Sequence, residues 1–572
     1  MTSSQHDFTT EVSSQPIYLR RPTLAAICLA ALVASAIVMP MCFLGSASGH
    51  DFQPHVASWI EANSQWRQGI IFPRWAQWAN SGFGEPRFVF YPPASWMLGA
   101  ALGSILPWRM VPGVFIWLAI FGAAMSMWKL AREWLPANHA LAATILFAAN
   151  PYHLALAYYR SDFAELLASA IFPLMLCGAF GIFRHGWRRV PLLAISFAAI
   201  WLSNAPAGVI ASYSLALILV IACIVARSIH PLILGSLAMI AGFGLAAFYL
   251  VPAWSEQPSV LIANAVSTTY DPQQNFLFSR ISDPDFLLFN RKISTLALGV
   301  IILTVLGIAF SFKQRAAWSK VWWLLVALSA ASVFLMLPPS ALLWRHLPEL
   351  KFLQFPWRWL LPLNLGFAFF AAAVRSKRWQ WLWCLTLLCA LWATGTTIAG
   401  DTSWDSEDVP TLVEAVRAGR GYEGIEGFQP RDAKVDELDD EAPLVGEYDP
   451  ESGDVEEPED AQINIQSWTA EKKHFQVTSD EPIILGLKLL NYPAWEVRVD
   501  GKAISAESSP QTGQIILPLE AGTHQVEVGF QRTRDRKIGV LISALFGVGL
   551  LVPVSLTLAL ARRRPASREV SD

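Results

Sequence analysis

Long apolar runs separated by short polar breaks occupy most of this chain up to about residue 400, and many approach the length needed to cross a bilayer. The candidate spans are 22–46, 110–130, 138–158, 165–184, 189–204, 206–226, 230–252, 294–312, 318–338, 358–375, 379–399 and 537–561. The pattern predicts a polytopic α-helical membrane protein with about twelve transmembrane helices. Residues 93–107 are apolar too, but the run is short and closed by Pro107, and it reads as an interfacial or re-entrant helix. Between 461 and 536 the period changes to alternation. Six short runs, 462–468, 474–478, 483–490, 495–499, 514–519 and 524–530, read as strands, with Asp500-Gly501 as a hairpin turn. So many short strands in so little chain predict a small β-sandwich-like domain.

Charge orients the spans. With the N-terminus in the cytoplasm, the short inner segments hold Arg20-Arg21, Lys129 with Arg132, Arg184 with Arg188-Arg189, Arg227, Lys313 with Arg315, Arg375 with Lys377-Arg378, and Arg562-Arg563-Arg564. Basic residues retained on the cytoplasmic side are the expected bias. The resulting organisation is a cytoplasmic tail (1–21), a transmembrane domain (22–399) whose first outer loop is 47–109, an acidic extracytoplasmic segment (400–460), the extracytoplasmic β-rich domain (461–536), a final span (537–561) and a cytoplasmic tail (562–572). The acidic segment holds 21 Asp or Glu against four Lys or Arg between 401 and 460, which predicts a solvated, partly irregular stretch.

Composition agrees with a membrane protein: 54% of residues are hydrophobic, 15% are charged, and mean hydropathy is +0.39. All six cysteines fall inside apolar runs, so neither a disulfide framework nor a thiolate metal site is implied. Glycine-rich phosphate loops, nucleotide fingerprints and zinc-finger spacings do not occur. Nucleic acid is not an expected partner; the lipid bilayer is.

The candidate chemistry gathers where spans end on the outer side. Asp51 lies just beyond the first span with His50 and His55 beside it, and a carboxylate there could take the proton of an attacking sugar hydroxyl. His50, Asp51 and His55 could instead hold a divalent metal, since imidazole and carboxylate suit such ions. Asp162 and Glu165 form a second acidic site, although Glu165 also opens a helix, where negative charge is favoured by the dipole. Arg160 and Arg358 could each grip a phosphate, the guanidinium fork matching a pair of its oxygens. An arginine beside tryptophan at a span end is also a common interfacial anchor. Arg74, Trp75, Tyr91 and Trp357, together with His50 and His55, are the side chains expected to border a substrate.

Taken in order, these pieces resemble one family. They are His50-Asp51 with His55, Phe72-Pro73-Arg74-Trp75, Gly82-Phe83-Gly84-Glu85-Pro86, Phe90-Tyr91-Pro92-Pro93, Arg160 with Glu165, Asn204-Ala205-Pro206, the run from Phe248 to Gln257, Phe355-Pro356-Trp357-Arg358, and Tyr492-Pro493-Ala494-Trp495 with Asp500-Gly501. The chain resembles the bacterial membrane proteins called 6-pyruvoyl-tetrahydropterin-synthase-related, which look akin to GT-C glycosyltransferases. The resemblance implies a GT-C-like transferase in the bacterial inner membrane. It would take sugar from a polyprenyl-phosphate donor to an extracytoplasmic glycan, lipid or protein acceptor. Asp51 matches the position of the catalytic acidic residue of the first outer loop and would be the general base, and Asp162 and Glu165 match that of a second acidic site. The first loop lacks a paired Asp-Asp or Asp-x-Asp, which leaves a metal open. Two other readings fit the same residues: a transporter or flippase of lipid-linked glycans, and a non-catalytic assembly protein.

Overall fold

A computed structural model describes residues 21–266, 270–313, 319–374 and 380–562. The terminal tails, and with them Arg20, Arg563 and Arg564, lie outside the described residues, as do Arg315, Arg375, Lys377 and Arg378. Among the described residues six helices are long and apolar enough to cross a membrane, or up to eight if two bent pairs each count as one span. They are Arg21–Leu44, Trp108–Arg132, Ala137–Arg160, Phe163–Ser203, Ala205–Ala226 and Pro284–Ser311. The bent pairs are His230–Leu245 with Ala247–Ser255 (72°) and Lys320–Leu335 with Pro338–His346 (92°). The expected twelve is therefore not recovered as a count. One reason is that Phe163–Ser203 takes in two of the expected spans, the second a helix of only 14 residues, Val190–Ser203. The helix Pro93–Ile105 has 13 residues, about 20 Å at 1.5 Å per residue. That falls short of a bilayer core of about 30 Å.

Several helix starts are set by an Asx cap, two of them with proline in the first turn. Asn150 Oδ1 accepts from the His153 amide at 2.9 Å with Pro151 next in line. Asp162 Oδ1 accepts from the Glu165 amide at 2.9 Å, and Asn204 Oδ1 from the Ala207 amide at 2.9 Å with Pro206 in the first turn. Each cap satisfies an otherwise unpaired helix-start amide.

The first polar loop folds back into the protein. Its helix Phe52–Arg67 lies against Pro93–Ile105, with Trp59 pressed onto Gly99, where a Cβ would stand 2.2 Å from the indole. Trp59 also stacks on Phe115, centroids 5.0 Å apart. Buried Glu61 ties the loop to a segment far along the chain. It accepts from the Gln77 amide (2.5 Å), the Trp78 amide (3.1 Å) and the Tyr422 hydroxyl (2.7 Å). Burial pushes the Glu61 carboxyl up, and these donors pull the other way. Ser46–Ala47 pairs antiparallel with Trp404–Asp405.

The β-rich region is two five-stranded antiparallel sheets. One runs Glu507–Ser508, Gln514–Leu519, Ile483–Leu490, Val445–Tyr448, Val455–Glu456; the other Ala461–Trp468, Lys472–Ser479, Gly522–Phe530, Trp495–Val499, Lys502–Ile504. Val526 faces Phe475 on one side and Val499 on the other, the alternation placing Phe475, Val477, Val497, Val526 and Val528 in the core. Two strands come from the acidic segment, because Val445 and Tyr448 supply apolar faces that the sheet buries. The rest of that segment is not loose: Val409, Val413 and Val416 of helix Asp408–Arg417 are buried, and this helix packs on Phe52–Arg67.

One buried ion pair ties the start of the last helix, Arg534–Arg562, to the end of helix Ala247–Ser255, and the sandwich bonds to it through Tyr492. Arg536 donates to both oxygens of Glu256, each at 2.7 Å, and the Tyr492 hydroxyl donates to Glu256 at 2.5 Å. Removing one member of such a pair strands the other. Arg536→Ala is therefore expected to cost about 3–5 kcal/mol, read as a lower melting temperature in detergent and earlier proteolysis at the sandwich. Replacing Glu256 and Arg536 together by apolar residues should recover most of that loss. Equal melting of wild type and Arg536→Ala would show that the pair does not hold the domain.

Candidate active site

The chain reverses twice to bring Asp51 against Arg160. The stretch before Arg160, Ala155–Arg160, winds as a wide π-turn, and Ser161 follows in the left-handed region (φ +52°). The loop 47–51 docks on this corner through the backbone. The Asp51 amide donates to Arg160 O at 2.8 Å, the Gly49 amide to Ser161 Oγ at 3.1 Å, and Ser161 Oγ to Ala47 O at 2.6 Å. Gly49 is required there, since a Cβ would sit 2.5 Å from the Arg160 carbonyl carbon.

Arg160 Nη2 then pairs directly with Asp51 Oδ2 and lies 3.6 Å from Asp162 Oδ2. Arg358 enters from a different part of the chain, on the short turn Pro356–Trp359 that opens a buried helix. Its Nη2 is 3.8 Å from the same Asp162 oxygen and its Nε 3.5 Å from Glu165 Oε2. Glu165 also accepts a hydrogen bond from the Tyr152 hydroxyl. His55 Nε2 is 3.7 Å from Asp162 and 3.3 Å from the Tyr91 hydroxyl. Aromatic faces back the guanidinium groups. The Arg160 guanidinium carbon is 5.2 Å from the Trp357 ring and 5.5 Å from Phe355, and Arg358 is 5.7 Å from Phe355.

Exposure separates the carboxylates. The side chain of Asp51 is 34% exposed, that of Asp162 4% and that of Glu165 0%. Asp51, the most exposed of the three, borders a cavity of about 1590 Å³. The cavity is also bordered by His50, His55, Tyr91, Arg160, Asp162 and Arg358. Its far wall is the stretch 422–440 of the acidic segment, and an apolar arm runs past Asn204, Pro206, Phe243 and Trp254.

Burial alone would raise the Asp162 carboxyl. The His55 contact and the Arg160 and Arg358 charges outweigh it and hold the group well below the usual carboxylate range. Burial raises the Tyr91 phenol, and the Asp162 and Asp51 charges add to this, so the phenol stays protonated. Burial lowers His50, and the Arg160 charge adds to that.

The sequence expectations divide. Asp51, His50, His55, Tyr91, Arg160, Asp162 and Arg358 come together at the cavity. Arg74 and Trp75 do not border it. Residues Ala76 and Glu85 bridge across a tight turn, and Gly84 admits the Trp75 indole, where a Cβ would clash at 2.1 Å. Trp75 is thereby carried into the sandwich interface, 5.2 Å from the Trp495 ring and next to Tyr492 and Phe530. Arg74 lies over Phe72 on the side of Glu256 and Arg536. Trp357 is buried behind Arg160, stacked on Phe355 at 4.9 Å, and braces the guanidinium without reaching the cavity. Glu165 is likewise behind the wall. Arg358 is 4% exposed and ion-paired, so it is no interfacial anchor reaching for water. Among the described residues no three His, Cys, Asp or Glu side chains converge as metal ligands. His50, Asp51 and His55 do not fit a divalent ion, because Arg160 takes the Asp51 carboxylate and the His50 ring packs edge-on to Phe289 at 5.0 Å. Sequence reasoning missed Tyr152, missed Tyr270, which also borders the cavity, and did not foresee that the acidic segment forms a wall. The hydroxyl of Tyr152 thirteen positions before Glu165 carries no local signal.

Residues 88–409, more than half of the chain, match the family described as 6-pyruvoyl-tetrahydropterin synthase related domain, a membrane protein. The chain belongs to this family. In fold it is similar to the cryo-EM structure of the arabinofuranosyltransferase AftD from Mycobacteria, at 14% identity and TM-score 0.46, over 89% of this chain and 40% of that one. It is also similar to the Archaeoglobus fulgidus oligosaccharyltransferase in the apo form, at 14% identity and TM-score 0.40, over 71% and 61%. A third structure, AglB of the same organism with an inhibitory peptide and a dolichol-phosphate, gives 14% and 0.38 over 70% and 56%. The chain thus spans less than two thirds of the length of each. No curated protein matches it.

The depressed Asp162 group has a stability consequence with a definite sign. A carboxyl whose folded pKa lies below its unfolded value of about 3.9 contributes stability that is full above that value and is lost as pH falls toward the folded pKa. Asp162→Asn keeps the helix cap and removes the charge. The stability gap between wild type and variant, from urea unfolding in detergent across pH 3–7, should be constant above about pH 5 and narrow below about pH 4. A gap independent of pH would mean that Asp162 is not held ionised by its partners.

Proposed function

We propose that this protein is a membrane-embedded glycosyltransferase that moves a sugar from a polyprenyl-phosphate donor to an acceptor on the extracytoplasmic side. The observation that carries the reading is the meeting of one accessible carboxylate, Asp51, with two buried arginines at the wall of a cavity bounded by helix ends. In the step itself an acceptor hydroxyl oxygen attacks the anomeric carbon and the bond from that carbon to the phosphate oxygen breaks. The polyprenyl phosphate leaves with the electron pair. Asp51 takes the hydroxyl proton, a contribution worth typically 10²–10⁴-fold. Arg358 and Arg160 hold the phosphate, whose charge grows as it leaves. His50, His55 and Tyr91 border the sugar. Asp162 acts as a fixed counter-charge to both arginines, and Glu165 backs Arg358 from behind the wall. The apolar arm of the cavity and the family's membrane character suit a lipid-linked donor, and 422–440 would face the acceptor.

Purified full-length protein is assayed with a panel of polyprenyl-phosphate sugars, read by mass spectrometry of the lipid product. Wild type should release polyprenyl phosphate and transfer sugar. Asp51→Asn should lower turnover by about 10²–10⁴-fold with donor still bound. Arg358→Lys, which keeps the charge but loses the fork, should weaken donor binding; Arg358→Ala would also strand Asp162 and Glu165. Near-normal turnover in Asp51→Asn would end the base assignment. Donor moved across vesicles without sugar transfer would favour the flippase reading.

The orientation has its own test. Ser505 in the sandwich and Ser228 between two spans are both exposed. In intact cells a membrane-impermeant thiol reagent should label a cysteine introduced at Ser505 and spare one at Ser228; the reverse pattern would invert the topology.

A further inference from the structure

The base named above is not free. Asp51 is paired with Arg160, one of the two groups assigned to the donor phosphate, and the pair is locked from both sides by the backbone bonds between 47–51 and 160–161. Arg160 is nevertheless incompletely used. Its Nη2 serves both Asp51 and Asp162, while its buried Nη1 makes no hydrogen bond. Arg358 Nε likewise makes none. The cluster is already balanced without an anion: Arg160 and Arg358 face Asp51 and Asp162, with Glu165 behind Arg358. A phosphate anion entering it must displace a carboxylate or be repelled. Asp162 and Glu165 are sealed in and bonded elsewhere, to the Glu165 amide and to Tyr152. Only Asp51, a third exposed, can turn away toward the cavity.

We propose that the Arg160–Asp51 pair is a latch opened by the phosphate of the lipid donor, so that Asp51 becomes available to an acceptor hydroxyl only once the donor is seated. This rests on the donor assignment above and adds an order of events and a second role for Arg160. It positions Asp51 in the free protein and exchanges it for phosphate in the loaded one. Asp51 and phosphate then compete for one guanidinium, and linkage makes the competition reciprocal. Removing the Asp51 charge must therefore tighten phosphate binding. A residue that contacts the donor favourably, or merely holds the fold, would do the opposite or nothing.

The test is a binding measurement that needs no turnover. A sugar-free polyprenyl monophosphate is titrated into full-length protein in mixed micelles, and inorganic phosphate is titrated in a parallel arm. Asp51→Asn should bind the lipid about tenfold more tightly than wild type, within the usual range of site-to-site coupling. In an Arg160→Gln background the same Asp51→Asn change should give much less gain, because the competed group is gone. Should Arg160→Gln not fold, Arg160→Lys serves, and the gain should fall to an intermediate value as the fork is lost. Equal or weaker binding by Asp51→Asn would overturn the latch. So would an equal gain with and without Arg160, which would report only the removal of a nearby negative charge. A gain seen with inorganic phosphate but not with the lipid would overturn the lipid headgroup as the trigger. Absence of lipid binding by wild type and every variant would instead sink the donor reading itself.

Discussion

Two guanidinium groups and three carboxylates meet at the edge of the helical domain, and all but Asp51 are nearly shut off from water. Charges in such a place are tolerable only when paired, because each unpaired ion costs several kcal/mol of lost hydration. Much of the neighbouring structure follows from that need. Asp162 must sit between Arg160 and Arg358, so the helix before it ends in a π-turn and a left-handed Ser161. Arg358 must approach from the far side, so its helix opens on the turn Pro356–Trp359. Phe355 and Trp357 stack as the backing that both arginines lean on.

The cavity exists because distant segments are pinned around this cluster. Glu61 gathers the amides of Gln77 and Trp78 and the Tyr422 hydroxyl into one buried node, and the Ile425 amide donates to Glu85 at 3.0 Å. These bonds draw the acidic segment across the opening and make it a wall. Glu85 is itself held by Arg87 at 2.6 Å, with both side chains fully buried. The Glu256–Arg536 pair joins the last helix to the helical domain, and Tyr492 of the sandwich donates to the same Glu256. The Glu61–Tyr422, Glu85–Ile425 and Glu256–Arg536 contacts join residues 361, 340 and 280 positions apart, and each satisfies a carboxylate with hydrogen bonds from its neighbours.

Much of this could be read from the chain, for reasons that differ by element. Apolar runs and strand alternation report burial directly, so the helical domain and the sandwich were legible; the number of spans was not, because some apolar runs form helices too short to count alone, such as Val190–Ser203, which folds back on Phe163–His185 after the turn at Gly186. Asp51, Arg160, Asp162 and Arg358 were legible as charged residues where apolar runs end. Their mutual pairing was not, since it depends on how four segments pack. Arg74, Trp75 and Trp357 show the limit of reasoning from residue type. An aromatic or an arginine near a site is as suited to bracing it as to lining it, and only the turn at Gly82–Gly84 and the stacking on Phe355 decide. The acidic segment is solvated and partly irregular, as its composition predicts, but its fastening was not legible. Its charges face the cavity or solvent, while the sparse valines that fasten it, Val409, Val413 and Val416, hardly alter its composition.

The three carboxylates also explain why neighbours in sequence need not share a role. Asp162 caps a helix through one oxygen and bridges both arginines through the other, with His55 beside it. The same contacts keep it ionised. A group so committed has no lone pair to spare for an incoming proton, and accepting one would cost the pairing that holds both guanidinium groups in place. Glu165, three residues on, spends its oxygens on Tyr152 and Arg358 behind the cavity wall. Asp51 carries one charged partner and keeps part of its surface on the cavity. The proposed proton transfer thus falls on the carboxylate whose release disturbs the fewest other bonds.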